Sequence, residues 1–319
     1  MKKLLLLAIT IIAITGPSKV LADNDKFFEL PIIPDTMSFY NRTSYLVTHY
    51  WDFCDLKKAF SSRQRMANAF KDYLDLMPYV SDSVSTASVK KFIQGVEKSP
   101  ENLLFITRTA EEYMHSDTAA IVGDQLYLNF VKAVVANKKI DPLDKLRYEH
   151  QLRIIPNSMR GSVVPGFDYI DRSGAKRNFD ADTAMVVLLY YYDTDCMDCS
   201  LARVRLDADP SVNKLIDAGR LKIVALTTQA ADGPWNEAVA EYPSGWTVGS
   251  MPTLDEIIEV TSSPMFYLLD SNHRVLGPKL SIDQVLDISQ RLAATTPDPY
   301  IRQQAAKMQH DETSSPSSH

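Results

Sequence analysis

The stretch Met185–Cys199, MVVLLYYYDTDCMDC, decides the fold of the C-terminal part of this 319-residue chain. It begins with eight apolar and aromatic residues, which predict a strand buried on both faces. Cys196 and Cys199 follow at C-x-x-C spacing, where the chain is expected to enter a helix. Backbone N–H groups at a helix start favour a thiolate on the first cysteine. The stretch therefore predicts a strand-to-helix junction that carries a cysteine pair.

The residues around this stretch alternate between strand and helix patterns. Gly166–Phe179 reads as a hairpin, and further strands are predicted at 221–227, 265–269 and 275–280. Helices are predicted at 196–206, 212–218, 235–242, 254–260 and 282–292, the last opened by the capping box Ser281–Gln284. We therefore expect residues 158–292 to form an α/β domain with a central mixed sheet flanked by helices.

The residues upstream have helical periodicity only. Apolar positions recur at helical spacing in about six stretches, at 43–54, 62–77, 84–96, 103–115, 125–137 and 143–155. Pro156-Asn157-Ser158 interrupts the pattern, and we place a domain boundary there. Residues 23–157 are thus predicted to be an all-α helical bundle, whose role the sequence does not state.

The two ends of the chain have their own composition. Met1–Ala22 has two lysines, an apolar run and a small residue at a cleavage position, which together predict a signal peptide. The protein is then expected to be periplasmic, with association with the membrane left open. Residues 293–319 are polar and rich in proline and serine, so a disordered tail is predicted.

Charge and motif content exclude several classes of protein. The net charge is −6 and no basic stripe is present, so binding to nucleic acid is not expected. Three cysteines are too few for a scaffold held by disulfides. The sequence has no nucleophile elbow, phosphate loop or metal-ligand array, and neither a cofactor nor a bound metal is expected.

The C-x-x-C pair has several explanations. A zinc site would normally need a second pair or suitably spaced histidines, and haem attachment would need a histidine where Ser200 stands. Redox chemistry fits a pair at a strand-to-helix junction: Cys196 attacks a partner disulfide and Cys199 resolves the mixed disulfide. A structural disulfide, idle thiols and a metal site remain as alternatives.

Residues 161–292 resemble the thioredoxin superfamily, and more closely the exported thioredoxin-like proteins related to the reductases of cytochrome c maturation. The resemblance is carried by the hairpin, the strand before Cys196-Met197-Asp198-Cys199, and the proline that opens the strand in SPMFYLL, 263–269. It implies that Pro264 is cis and faces the disulfide, and that the backbone of Ser263 binds an extended substrate. The stretches YLVTHYWD, 45–52, and FKDYLDLMP, 70–78, resemble exported bacterial proteins in which a helical domain of unknown function precedes such a domain.

The active-site sequence departs from that family. Asp195 replaces the usual tryptophan, Met197-Asp198 replaces Gly-Pro, and Tyr190 occupies the position where some thioredoxins have a buried acid. A unit charge about 6 Å away costs a thiolate roughly 1–3 kcal/mol, more than a helix end contributes. Asp195 and Asp198 are therefore expected to raise the pKa of Cys196 and to make the couple reducing. Asp198 has an alternative role as a solvated acid that satisfies the helix dipole.

Three further features of the sequence have two explanations each, as parts of a functional site or as packing residues. Cys54 and His49 lie on an apolar helix face, where packing is the better explanation. Trp235, Tyr242 and Trp246 are expected either to line a groove or to pack in the core.

The function expected from the sequence is an exported thiol–disulfide oxidoreductase that reduces or isomerises disulfides. Its partners would be exported protein thiols or disulfides and a membrane or periplasmic electron donor. The alternative is a redox-inactive protein that keeps the fold as a binding scaffold.

Overall fold

The structure is a computed structural model that describes residues 27–116, 119–121 and 123–296. The predicted signal peptide and residues 297–319 of the predicted tail lie outside the described residues. Within the described part of the chain, no helix combines the length and the apolar character that crossing a membrane requires. The chain divides into two compact units, and the boundary in the sequence lies between Ser88 and Val89.

The described residues of the first unit are helical. They form α1 (Phe39–His49), α2 (Leu56–Ala59), α3 (Arg63–Leu74), a short 3-10 helix (Met77–Tyr79) and the start of α4 (Asp82–Val96). The Tyr73 hydroxyl donates to Ser88 Oγ at 2.6 Å, and the Ser88 hydroxyl donates to the Val47 carbonyl, also at 2.6 Å. The helix predicted over 43–54 is wrong in its second half, because α1 ends at His49 and the chain turns there.

Three helices of the second unit precede its sheet: α5 (Pro100–Met114), α6 (Asp124–Ala136) and α7 (Pro142–Ser158). Ser99 and Asp141 cap α5 and α7 through their side chains, each followed by a proline at the first helical position. The interruption predicted at Pro156 is wrong, because α7 continues through it to Ser158. The predicted boundary at residue 157 stays a prediction, and it falls inside the second unit.

A mixed sheet follows, as predicted, and it has seven strands. Its order is β2-β1-β5-β4-β3-β6-β7, with β3, β4 and β5 parallel and the other pairs antiparallel. The strands are β1 (Asp168–Asp171), β2 (Lys176–Asn178), β3 (Val186–Tyr191), β4 (Leu221–Thr227), β5 (Thr247–Ser250), β6 (Met265–Asp270) and β7 (Val275–Leu280).

The central strand β3 is buried on both faces, which explains its uninterrupted apolar sequence. Leu188 and Tyr190 face a core shared with the helices, whereas Val187 and Leu189 face a second core with Phe167 and other residues. The helices of this region are α8 (Met197–Ala208), α9 (Pro210–Asp217), α10 (Gly233–Val239) and α11 (Ile282–Ala294). The start of α8 therefore follows a strand that is buried at the centre of the sheet.

Two elements differ from the sequence prediction. The helix predicted over 254–260 is wrong: only the 3-10 turn Leu254–Glu256 forms, and the chain then runs irregularly to Pro264. The interior strand β5, between β1 and β4, was not predicted, since Thr247–Ser250 is short and contains Gly249. A Cβ at Gly249 would lie 2.4 Å from the Tyr169 ring, so this strand position requires glycine.

Candidate functional site

The cysteine pair lies where β3 gives way to α8, as predicted. Cys196 is the N-cap residue of α8, and its Sγ accepts a hydrogen bond from the N–H of Cys199 at 3.0 Å. The two cysteines form a disulfide with their Cα atoms 5.2 Å apart. Cys199 is buried at 1% exposure, while Cys196 is partly exposed. Cys196 is therefore the sulfur that a partner molecule can reach.

Ser263 lies against this disulfide, and the peptide bond between Ser263 and Pro264 is cis. The cis bond confirms that part of the expectation from the family resemblance, and the role of Pro264 opposite the disulfide stays a prediction. The carbonyl oxygen of Ser263 is 3.5 Å from Cys196 Sγ, and its Oγ is 3.2 Å from Cys199 Sγ. The structure thus brings together four of the six predicted site residues. The part that each plays in a reaction stays a prediction.

The two remaining predicted site residues, Asp195 and Asp198, flank Cys196 in the chain, and both are exposed. Asp198 lies in the first turn of α8, where its charge also suits the helix dipole. Their predicted effect on the Cys196 thiolate stays a prediction, because both cysteines are bonded to each other in this structure.

Tyr190 contacts the backbone of the cysteine pair, and this contact was not predicted. Its side chain is fully buried, its ring stacks on Phe266 at 4.8 Å, and its hydroxyl donates to the carbonyl of Cys199 at 2.7 Å. Burial raises the pKa of Tyr190, so the hydroxyl keeps its proton and remains a donor. Its position six residues before Cys196 was the available signal, but sequence alone cannot show which backbone group a tyrosine reaches.

The aromatic residues Trp235 and Trp246 belong to the core. They are 1% and 4% exposed, and the Trp235 indole N–H donates to the Tyr192 hydroxyl at 3.0 Å. Tyr242 packs on Tyr192 with ring centroids 4.9 Å apart. The core-packing explanation is therefore the right one for the two tryptophans.

Cys54 and His49 belong to the first unit, and each interacts with an aspartate that is close to it in the sequence. Burial, together with the charge of Asp55, raises the pKa of the Cys54 thiol to about 11. His49 Nδ1 lies 2.6 Å from Asp52 Oδ2 in a half-exposed pair. A thiol with so high a pKa is a poor nucleophile near neutral pH.

A groove of about 530 Å³ opens beside Pro264. His115 and Asp124 line one wall of this groove, and Lys279 of β7 lines the other.

Four charged groups form a buried cluster at this groove. His115 Nδ1 lies 2.6 Å from Asp124 Oδ1, and its Nε2 lies 2.7 Å from Glu259 Oε1. Lys279 Nζ is 2.8 Å from the other oxygen of Glu259. Burial by itself would lower the pKa of His115, but the hydrogen bonds to Asp124 and Glu259 raise it to about 9. Sequence analysis missed this cluster, since its members are spread from residue 115 to residue 279.

Nothing in the described ranges groups three or more histidine, cysteine, aspartate or glutamate side chains in a geometry that would hold a metal ion.

Comparison with known proteins agrees with this architecture. Residues 13–158 match a family profile described as "Domain of unknown function (DUF5106)". A crystal structure of a thioredoxin-like protein from Bacteroides caccae matches 83% of this chain and 98% of its own, with 21% identity and a TM-score of 0.71. No curated protein matches the chain.

Two other structures match only part of the chain. The thioredoxin domain of a thiol-disulfide oxidoreductase from Bacteroides vulgatus covers 42% of this chain and 98% of its own, at 20% identity and a TM-score of 0.38. A thiol:disulfide interchange protein from Bacteroides sp. covers 43% and 92%, at 20% identity and a TM-score of 0.38. The fold of this chain is thus a helical N-terminal region followed by a thioredoxin-like sheet.

Proposed function

We propose that this protein is an exported thiol–disulfide oxidoreductase that reduces or isomerises disulfides in partner proteins. The observation that carries the proposal is the contact of Ser263, the residue before cis-Pro264, with both sulfurs of the Cys196–Cys199 pair. A purely structural disulfide needs no such neighbour and no exposed sulfur. The expectation of export rests on the sequence of Met1–Ala22.

The reaction begins at Cys196 in the reduced protein. Its thiolate attacks one sulfur of the partner disulfide, and the other partner sulfur leaves as a thiolate and takes up a proton. Cys199 then loses its proton and attacks Cys196 Sγ, which frees the second partner thiol and forms the Cys196–Cys199 disulfide. The partner gains two electrons and two protons, and an external dithiol donor returns them to the pair.

The site has features that suit a protein partner rather than a small molecule. Met197, Leu201 and Val204 lie on one side of α8 at 83%, 57% and 53% exposure. Such an exposed apolar stripe beside a reactive sulfur is typical of a surface that contacts another protein. The backbone of Ser263, next to Cys196 Sγ, is placed to pair with an extended segment of that partner.

Trapping tests the proposal. Cys199→Ser leaves the attacking thiol without its resolving partner, so a mixed disulfide between Cys196 and the partner should accumulate. Cys196→Ser is the matched control and should trap nothing. Wild type should also reduce insulin with dithiothreitol as donor. If Cys199→Ser traps no more than the control and wild type is inactive, the alternative of a redox-inactive scaffold takes its place.

A further inference from the structure

Residues 257–264 form an irregular segment that leads from the 3-10 turn to β6 and ends at Ser263 and Pro264. Thr261 and Ser262 are exposed, whereas Glu259 near its start and Met265 just after it are 3% and 2% exposed. The segment is therefore held by a buried residue on each side of Ser263, Glu259 before it and Met265 after it. The position of Ser263 against the sulfurs depends in part on how Glu259 is held.

Glu259 is held by its backbone and by its side chain. Its N–H donates to Ser158 Oγ at 2.7 Å, and its carbonyl accepts from the Tyr267 hydroxyl at 2.8 Å. Its carboxylate lies between His115 and Lys279 at 2.7 and 2.8 Å. A buried carboxylate needs such cationic partners, because losing one leaves charge uncompensated in a low-dielectric site.

Helical residues supply several of these contacts. His115 is the C-cap residue of α5, and Ser158 is the last residue of α7. Asn157 adds a hydrogen bond from its amide to the carbonyl of Ile257 at 2.8 Å. Hydrogen bonds and an ion pair thus connect the segment that ends at cis-Pro264 to residues that precede the sheet in the sequence.

We propose that His115 is a positioning residue for the redox pair, acting through Glu259 on the segment that ends at Ser263 and Pro264. The proposal rests on the proposed function and assigns to α5 a part in that chemistry. The imidazole is clamped between Asp124 and Glu259, and its ring stacks on Tyr127 at 4.7 Å. Among the described residues, Lys279 also acts on the imidazole through its charge, and its Nζ contacts Glu259 at 2.8 Å.

The test uses the full chain with His115→Asn and compares its Cys196–Cys199 pair with that of wild type. The main measurement is the equilibrium constant with glutathione, which is defined whether or not the protein reduces any partner. Loss of a hydrogen-bond contact to the sulfurs should change that constant about 2- to 10-fold. Insulin reduction is the second measurement, and its kcat/KM should fall about 10- to 100-fold through misplacement of Ser263.

His49→Asn is the matched control, because His49 makes a similar 2.6 Å contact with an aspartate but belongs to the first unit. It should leave both quantities unchanged. Circular dichroism establishes that each variant is folded. If His115→Asn does not fold, Glu259→Gln removes the buried carboxylate while keeping its shape, and it should give the same change in the equilibrium constant.

The outcomes separate the two proposals. A folded His115→Asn or Glu259→Gln protein with the wild-type equilibrium constant overturns the role of His115. The proposed function is overturned if wild type does not reduce insulin and Cys199→Ser traps no partner, and the glutathione equilibrium then still decides whether His115 positions the pair. In the double variant His115→Asn/Glu259→Gln, the effects of the two substitutions should not add, because both remove the same contact between residues 115 and 259.

Discussion

The hydroxyl oxygen of Ser263 lies 3.2 Å from Sγ of Cys199, although 64 residues separate them in the chain. Cys199 is the buried cysteine of the pair, and no acidic residue is found among the partners of its sulfur in the described part of the chain. In the proposed reaction, the Ser263 hydroxyl would therefore be the polar side-chain group that stabilises Cys199 as the attacking thiolate.

Ser263→Ala should slow the resolution of mixed disulfides. A neutral hydrogen bond contributes about 0.5–1.5 kcal/mol, which corresponds to a rate roughly 2- to 10-fold lower. The rate can be followed by stopped-flow fluorescence after mixing reduced protein with a disulfide peptide. Ser262→Ala, in the neighbouring exposed position, is the control and should resolve at the wild-type rate. Equal rates for both variants would argue against a role for the hydroxyl.

Asp195→Asn and Asp198→Asn should each lower the pKa of Cys196 in the reduced protein. Removing one charge near a thiolate changes its pKa by about one unit. The pKa can be measured from the thiolate absorbance near 240 nm or from alkylation rates across pH. Asp207→Asn, near the other end of α8, is the matched control. If Asp198→Asn behaves like that control, Asp198 is only a solvated residue that satisfies the helix dipole.

Tyr190→Phe should weaken both the fold and the site. It removes a buried hydrogen bond to the carbonyl of Cys199, so the free energy of unfolding should fall by about 1–2 kcal/mol. Tyr192→Phe is the comparison, since that hydroxyl is equally buried but accepts from Trp235. Both variants should lose stability in urea, and only Tyr190→Phe should alter the glutathione equilibrium of the cysteine pair. A similar change in Tyr192→Phe would make the redox effect a general consequence of a weakened core.

The buried His115 cluster should make stability depend on pH. The folded pKa of His115 is raised to about 9 from an ordinary value of 6.5, so its contribution is complete below about pH 6.5 and lost as pH rises through 9. The contribution is up to roughly 3 kcal/mol. Urea unfolding of wild type and His115→Asn at a series of pH values measures it. The difference between the two proteins should shrink from pH 6 to pH 10, and a constant difference would contradict the assignment.

Cys54 should react more slowly than Cys196 in the reduced protein. With a pKa of about 11, only about 0.1% of the thiol is ionised at pH 8. Timed alkylation with iodoacetamide, followed by mass spectrometry of peptides, gives the order of reaction. Modification of Cys54 before Cys196 would show that its thiol is not held in the environment described here.

Sequence patterns identified the parts of this fold that are local. The apolar run of β3, the hairpin before it and the capping box of α11 each depend on residues close together, and all three are confirmed. Pro264 was placed next to the cysteines through a family resemblance rather than through periodicity. The contact of His115 with Glu259 joins residues 144 positions apart, and no local pattern carries that information.

Two local predictions failed for identifiable reasons. Residues 254–260 have helical apolar spacing, but Glu259 is instead held by the Ser158 and Tyr267 hydroxyls, which favour an irregular backbone. Residues 50–54 continue an apolar pattern past the end of α1, where the Tyr50 ring packs on Tyr73 at 5.2 Å and its hydroxyl donates to the Ala69 carbonyl at 3.2 Å. In both cases tertiary contacts outweigh local propensity.

The redox potential of the Cys196–Cys199 pair, measured by equilibration with glutathione, tests the central claim most directly. A pair that cycles as a reductant should have a potential between about −300 and −180 mV, within the range of known thioredoxin-like reductants. A potential below about −300 mV would identify a structural disulfide. A potential above about −150 mV would identify an oxidant and contradict the account.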